Sequence, residues 1–376
     1  MLKNLNILSY YASSSQGNLQ ESVLAIKNTN IKVSKKIVPT LDDEVEIPYF
    51  LLPKSVEENQ KSIYKALQEI VAPIVENLDA KKRAKTVLII GTSLVDLNIT
   101  DAIDSTVYDY KKTPYYSKKT SIDTYAKELT EEFGLNGYTM TISTACTSSV
   151  NALLEASNLI HSGIYDYAVV IGVEIYSKMM SKGFSSMKLL ASGEQKPFDK
   201  ARDGLILGEA VAGVLVGEEK SPWSLLGGYS NCNSSTITSV GPTGDEFREV
   251  MQNAMKIADV KLHDIVALKA HATSTLTNDL SEINAIKQVF DKDFKFTALK
   301  PYLGHTLGAC GILELAIFMS CIDDGFIPKT INHEKSIIDD YVPILEHVTC
   351  NSGSFMLNYF GFGGNNTSIV INKEMN

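Results

Sequence analysis

Tyr138-Thr139-Met140-Thr141-Ile142-Ser143-Thr144-Ala145-Cys146-Thr147-Ser148-Ser149 changes character halfway along. Its first six residues are rich in aromatic and β-branched side chains and read as a buried strand. Residues 151–160 follow with a helical pattern, and Gly163 is a stop just beyond them. Cys146 therefore sits at a strand-to-helix turn, among small residues that permit a tight bend and let a ligand approach. A thiol there sees the positive end of the helix dipole and unpaired backbone N–H groups, which lower its pKa and favour the thiolate. Taken alone, a cysteine is more often a small core residue. Cys232, Cys310, Cys321 and Cys350 lack this setting and read that way.

On either side of this stretch, residues 86–91, 167–173 and 210–216 are near-continuous apolar runs of strand length, alternating with helical patterns. That combination signals an α/β fold with a sheet covered on both faces. The second half repeats the style. Residues 264–270 read as a strand ending at His271, 280–290 as an amphipathic helix, 308–319 as a more apolar helix, and 367–371 as the last strand. The polar run Gly217-Glu218-Glu219-Lys220-Ser221-Pro222 is the expected boundary, giving halves of residues 1–220 and 221–376.

No run approaches the eighteen apolar residues of a membrane span. The N-terminus carries one lysine and no long apolar core, so no signal peptide is expected and the expected location is cytoplasmic. Five cysteines, an odd number without CxxC spacing, argue against a disulfide framework and a zinc site, so no metal is expected. A net charge of −9 argues against nucleic acid as the main partner.

Three further segments carry chemistry: His271-Ala272-Thr273-Ser274-Thr275, Lys300-Pro301-Tyr302-Leu303-Gly304-His305, and Asn358-Tyr359-Phe360-Gly361-Phe362-Gly363-Gly364-Asn365. Singly, each has an ordinary reading. A lone histidine is usually a satisfied polar group, a Lys/Glu pair is usually solvated, and a glycine-rich turn is usually a hairpin. In this order, with Cys146 and with Lys196-Pro197-Phe198-Asp199-Lys200-Ala201-Arg202-Asp203-Gly204, they resemble the β-ketoacyl-[acyl carrier protein] synthases of the KAS I/II type. The resemblance runs from about Tyr115 to the C-terminus.

That resemblance implies a thiolase-like duplicated αβαβα fold and a decarboxylative condensation that builds a 3-oxoacyl chain. It makes Cys146 the nucleophile, and it makes His271 and His305 the groups that decarboxylate malonyl-carrier protein. Lys300, paired with Glu314, would tune His305. The backbone N–H groups of Cys146 and Phe362 would form the oxyanion hole, with Phe362 also gating the acyl pocket and Gly361 and Gly363 shaping the turn. Thr273 and Thr275 match positions that bind the phosphopantetheine arm, and Phe184 lies near the acyl pocket. No cofactor is implied beyond the carrier's own phosphopantetheine. The implied partners are an acidic acyl carrier protein, docking on Lys111, Lys112 and Lys188, and a second ketosynthase-like subunit, paired as a homodimer or heterodimer through residues 138–143.

Ala272 stands where glycine is usual and Tyr359 where serine is common, and a helical insertion after the strand ending at Val216 is lacking. These departures point towards a specialised relative, such as one making a polyene pigment. Two other readings fit the same fold. A chain-length-determining partner subunit would usually lack the nucleophile, and a thiolase would use a second cysteine near the C-terminus.

Overall fold

Among the described residues, ten strands of the main sheet form two five-stranded arrays with one topology. The computed structural model describes residues 5–39, 44–53, 60–94, 122–232 and 241–375. The first array contains β1 (Leu5–Ser14), β2 (Thr86–Gly91), β3 (Thr139–Ile142), β4 (Tyr167–Glu174) and β5 (Ala210–Gly217). The second contains β6 (Trp223–Cys232), β7 (Ile265–Lys269), β8 (Phe296–Thr297), β9 (Gly353–Phe360) and β10 (Asn365–Lys373). Across the sheet the first runs β1-β5-β4-β2-β3 and the second β6-β10-β9-β7-β8, the same order in each. The pairing sense also repeats: antiparallel, antiparallel, parallel, parallel. The two arrays meet where β1 pairs β6, with Leu5 opposite Leu225 and Ile7 opposite Trp223.

Every residue of β2, β4 and β5 is buried, as the unbroken apolar runs require of strands covered on both faces. Helices α1 (Gln60–Val75) and α2 (Ile122–Phe133) cover the outside of the first array, packing Leu67, Ile74 and Leu129 against Leu88 and Val169. Between the arrays lie α3 (Ser148–His161) and, later in the chain, a buried apolar helix, Cys310–Asp323. The connection between β4 and β5 carries α4 (Lys178–Ser186), while α5 (Asp245–Ala258) and α6 (Leu276–Val289) cover the second array. The buried helix, α7, is enclosed on every side, with only Ser320 and Asp323 outside the core, and Glu314 is the charged residue among its buried, mostly apolar side chains. Its Phe318 ring meets Phe355 of β9 edge-on, 5.3 Å between centroids. The result is the αβαβα layering that the resemblance implies.

One strand departs from expectation. β3 is paired only to β2 and lies at the edge, so it is half-buried rather than enclosed, and Tyr138 beside it is 51% exposed. Its pattern of apolar and β-branched residues specifies a strand but cannot say whether a neighbour lies on the far side.

The repeat also positions the chemistry. Cys146 follows the third strand of the first array and precedes α3; Lys300 and His305 follow the third strand of the second and precede α7. Phe184 lies in the β4–β5 connection and Phe362 in the equivalent β9–β10 connection. His271 follows the end of β7. These residues gather beyond the carboxyl ends of parallel strands, where open α/β sheets leave room for ligands.

Candidate active site

The turn before α3 is tight. Ala145 has φ 53°, in the left-handed region that non-glycine residues rarely adopt, and Ser148 Oγ donates to its carbonyl at 2.6 Å. This bend directs the Cys146 side chain at His305, placing Sγ 3.1 Å from Nε2. The backbone N–H groups of Phe362 and of Cys146 itself also face the sulfur. Burial nevertheless pushes the thiol up to about 11, and Lys300 and the N–H donors only partly offset it. The expectation of a resting thiolate is therefore corrected, because desolvation at a 5% exposed residue outweighs the helix terminus. Burial, with Lys300 and Lys269, holds the His305 imidazole well below its usual range. A neutral thiol thus faces a neutral imidazole.

His271 meets His305 edge to face, 5.3 Å between ring centroids. The ligand atoms of Cys146, His271 and His305 all lie within 4.8 Å of one another. Lys300 Nζ lies 3.3 Å from His271 Nδ1 and 2.7 Å from Glu314 Oε1. Lys300 was expected to act on His305; its contact is with His271, and it reaches His305 only through its field. Burial opposes the Lys300 charge, but Glu314 more than offsets it and its pKa is raised. Burial first, then Lys300, His305 and Lys269, push His271 well below its usual range.

The loop after β7 is anchored by acids that the motif reading passes over. Glu282 on α6 accepts the His271 N–H at 2.8 Å and the Ala272 N–H at 2.7 Å. Asp279 accepts the Ser274 N–H at 3.0 Å. Ala272 and Ser274 have φ of 52° and 65°, a conformation costing roughly 1–2 kcal/mol for a residue with a Cβ. That is a physical reason for glycine at the position of Ala272, and the paired carboxylate bonds hold the loop despite the alanine. Thr273 and Thr275 bring their hydroxyls within 2.9 Å of each other at the mouth of the site, beside Cys146, both histidines and Phe362.

Gly361 to Gly364 close the β9–β10 hairpin. Gly363 has φ 78°, and a Cβ added at Gly361 would come within 3.2 Å of the Cys146 nitrogen. The turn therefore needs glycine for conformation at one position and for close approach at the other. The Phe362 and Phe184 rings stack with centroids 5.4 Å apart. They stand between the mouth and a second cavity of about 430 Å³ lined by Met179, Met180, Met187 and Leu307. Lys188 is exposed just before Leu189, which lines the mouth. Lys111 and Lys112 lie outside the described residues.

This geometry agrees with comparison to known proteins. Residues 63–221 match the Beta-ketoacyl synthase, N-terminal domain family and residues 224–334 match the Beta-ketoacyl synthase, C-terminal domain family. The 3-oxoacyl-[acyl-carrier-protein] synthase 2 of Vibrio harveyi is 30% identical over 322 residues, covering 77% of this chain and 76% of that protein. The chain belongs to the β-ketoacyl synthase family. The chloroplastic 3-oxoacyl-[acyl-carrier-protein] synthase I of Arabidopsis thaliana is 34% identical over 64% of this chain and 54% of its own length. Among solved structures, a ketosynthase in complex with its chain length factor from Xenorhabdus doucetiae superposes with a TM-score of 0.86 at 24% identity, over 99% of this chain and 98% of that one. A β-ketoacyl synthase from Burkholderia phymatum gives 0.84 at 21% identity, over 99% of this chain and 100% of that one. Both likenesses speak to the fold.

Within this β-ketoacyl synthase, two further groups, beyond Glu282 and Asp279, had no signal in the motifs. Cys310 donates its thiol to the Cys146 carbonyl at 3.0 Å. Lys269 shares Glu314 with Lys300. Only a three-dimensional neighbour distinguishes either from an ordinary core residue. No helix among the described residues is long and apolar enough to cross a membrane.

Proposed function

We propose that this chain is a β-ketoacyl-[acyl carrier protein] synthase that joins a Cys146-bound acyl group to the two-carbon unit of malonyl-carrier protein. The observation that carries this reading is the 3.1 Å contact of Cys146 Sγ with His305 Nε2, beside His271 in one buried site.

In the first half-reaction the Cys146 sulfur attacks the acyl thioester as its proton passes to His305 Nε2. Negative charge develops on the carbonyl oxygen and meets the N–H groups of Cys146 and Phe362. The carrier thiolate leaves and takes the proton from His305. In the second, the C–C bond to the carboxylate of malonyl-carrier protein breaks and CO₂ departs. The enolate oxygen is held by the N–H donor of His271 and, once His305 has shifted its single proton from Nδ1 to Nε2, by that of His305. Its carbon then attacks the acyl–Cys146 carbonyl, expelling the thiolate, which regains a proton from solvent. Depressed histidine pKa values suit this step, since neutral rings hold one N–H each without a permanent charge. The cycle is ping-pong through a covalent intermediate.

The mouth lined by Thr273 and Thr275 suits a thin phosphopantetheine arm, so the carrier's prosthetic group enters as substrate. Phe184 and Phe362 would gate the methionine-lined cavity that receives the acyl tail. The half-exposed edge strand β3 would pair with a second copy or a similar subunit, in keeping with the ketosynthase–chain length factor complex that this fold resembles. A division into residues 1–220 and 221–376 draws support from the repeated strand order, which restarts between β5 and β6. A cysteine at position 146 disfavours a purely chain-length-setting role. The paired histidines disfavour a thiolase, and Cys350, bonded to the Ser352 carbonyl, is not among the residues lining the site.

The reading is tested by supplying acyl-carrier protein and malonyl-carrier protein together and weighing the carrier product. A carrier-bound 3-oxoacyl chain two carbons longer supports it. Acylated enzyme without chain extension would overturn it.

A further inference from the structure

Lys269 is the last residue of β7, two positions before His271, and is completely buried. Its Nζ meets three electron-rich groups: Glu314 Oε2 at 2.5 Å, the Asn358 carbonyl at 2.7 Å, and the Tyr359 ring face, 3.8 Å from the centroid. An ammonium has three hydrogens to give and no lone pair, and each hydrogen has a target. A neutral amine would turn its lone pair on one of them. Lys269 is thus held as a cation, although burial opposes its charge and Glu314 only partly restores it.

A purely structural pair would need only one lysine. Lys300 already meets Glu314 through Oε1, so the second ammonium leaves Lys269, Glu314 and Lys300 with a net positive charge. Excess charge in an interior is costly unless an anion faces it. Glu282, the buried carboxylate beside this trio, is turned to the His271 and Ala272 backbone N–H groups, and burial pushes it up to about 7. Decarboxylation adds the anion on the reacting side of His271, as the enolate.

We propose that Lys269 is a positioning residue for the condensation. By occupying one oxygen of Glu314, it leaves Lys300 a hydrogen for His271 Nδ1, which fixes the His271 proton on Nε2, the ring nitrogen away from Lys300. The two ammonium groups together bias the His271 side of the site towards the anionic enolate. The Tyr359 ring completes the Lys269 cage, which gives the tyrosine at this position a role.

This inference rests on the condensation reading, and its test separates the two. Wild-type enzyme that releases no CO₂ from malonyl-carrier protein would refute that reading, whereas the histidine tautomer is read without turnover. In protein carrying ¹⁵N-labelled histidine, His271 is expected as one neutral tautomer, protonated at Nε2. A proton on Nδ1 in the wild type would overturn the proposal. In Lys269→Met, CO₂ release is expected to fall about tenfold or more, short of the 10²–10³ for losing a donor outright. Cys146 acylation by acyl-carrier protein should stay within about threefold of wild type, and the His271 signals should become a tautomer mixture. An equal loss in both half-reactions, or a single unchanged tautomer, would overturn it. Should Lys269→Met fail to fold, Tyr359→Leu removes the ring face and keeps the lysine; the same selective loss of CO₂ release is expected there. Its absence would overturn the role assigned to the cage.

Discussion

Cys146 and His305 hold equivalent places in the two halves of the fold, each between a third strand and a central helix, and their side chains meet at 3.1 Å between Sγ and Nε2. The same correspondence relates Phe184 to Phe362, which stack on each other from equivalent connections. The repeat thus supplies the thiol and the facing imidazole from different halves and aims them at one buried point.

Because His305 touches the sulfur and His271 does not carry that contact, the two histidines should differ. His305→Ala is expected to slow both Cys146 acylation and CO₂ release. His271→Ala should spare acylation and lower CO₂ release on the order of 10²–10³-fold. Single-turnover measurement of each half-reaction checks the asymmetry, and equal effects on acylation would contradict it.

Gly361→Ala would place a Cβ 3.2 Å from the Cys146 nitrogen, crowding one of two donors to the acylation oxyanion. Acylation should fall on the order of 10²-fold, with a thermal midpoint within a few degrees of wild type. A fully active Gly361→Ala enzyme would remove that nitrogen from the oxyanion site.

The thiol of Cys146, pushed up to about 11, has a direct pH signature. Its alkylation by iodoacetamide should keep rising with pH past 9, where an ordinary thiol levels off. The sign for stability follows. The folded thiol holds its proton more tightly than the unfolded one, at 9.0 in the absence of burial. Its contribution is therefore present below pH 9 and lost as pH climbs towards 11. Chemical denaturation of wild type and Cys146→Ala at pH 8 and pH 10.5 should show a steeper decline in wild type.

Much of this architecture is legible in the chain. The apolar runs at β2, β4 and β5 specify themselves because both faces are buried, and Gly163 ends α3 as expected with φ 73°. Strands β1 and β6 give a weaker signal: Asn6, Ser9 and the Gly227-Gly228 pair interrupt the pattern, and pairing on both sides, to a neighbour in the same half and to each other across the halves, makes them strands. The motifs bring Cys146, His271, His305, Lys300, Glu314 and Phe362 to one place. They do not reveal Lys269, Glu282 or Cys310, whose roles depend on neighbours from other elements. The thiol pKa went the other way because local sequence shows a helix terminus but not the depth of burial above it.

Breaking the buried charge trio should be severe. Glu314→Ala leaves two buried lysines without their carboxylate, which is expected to cost about 3–5 kcal/mol, measured as lost unfolding free energy in urea. Glu314→Gln should cost less, since it keeps one acceptor. No loss in Glu314→Ala would mean that the lysines reach solvent.

Docking can be tested on the exposed Lys188 together with Lys111 and Lys112. Charge reversal to Glu should raise KM for carrier-bound substrate and leave a small pantetheine thioester little affected, because rim charges act on association and its salt dependence. Equal losses on both substrates would assign these lysines to folding or chemistry.

The most direct measurement gives wild type and Cys146→Ala an acyl-carrier protein alone and weighs each intact protein. A mass gain equal to the acyl group in wild type, absent in Cys146→Ala, is the predicted result. The same gain in Cys146→Ala would contradict the assignment of Cys146 as the nucleophile, and with it the account of the site.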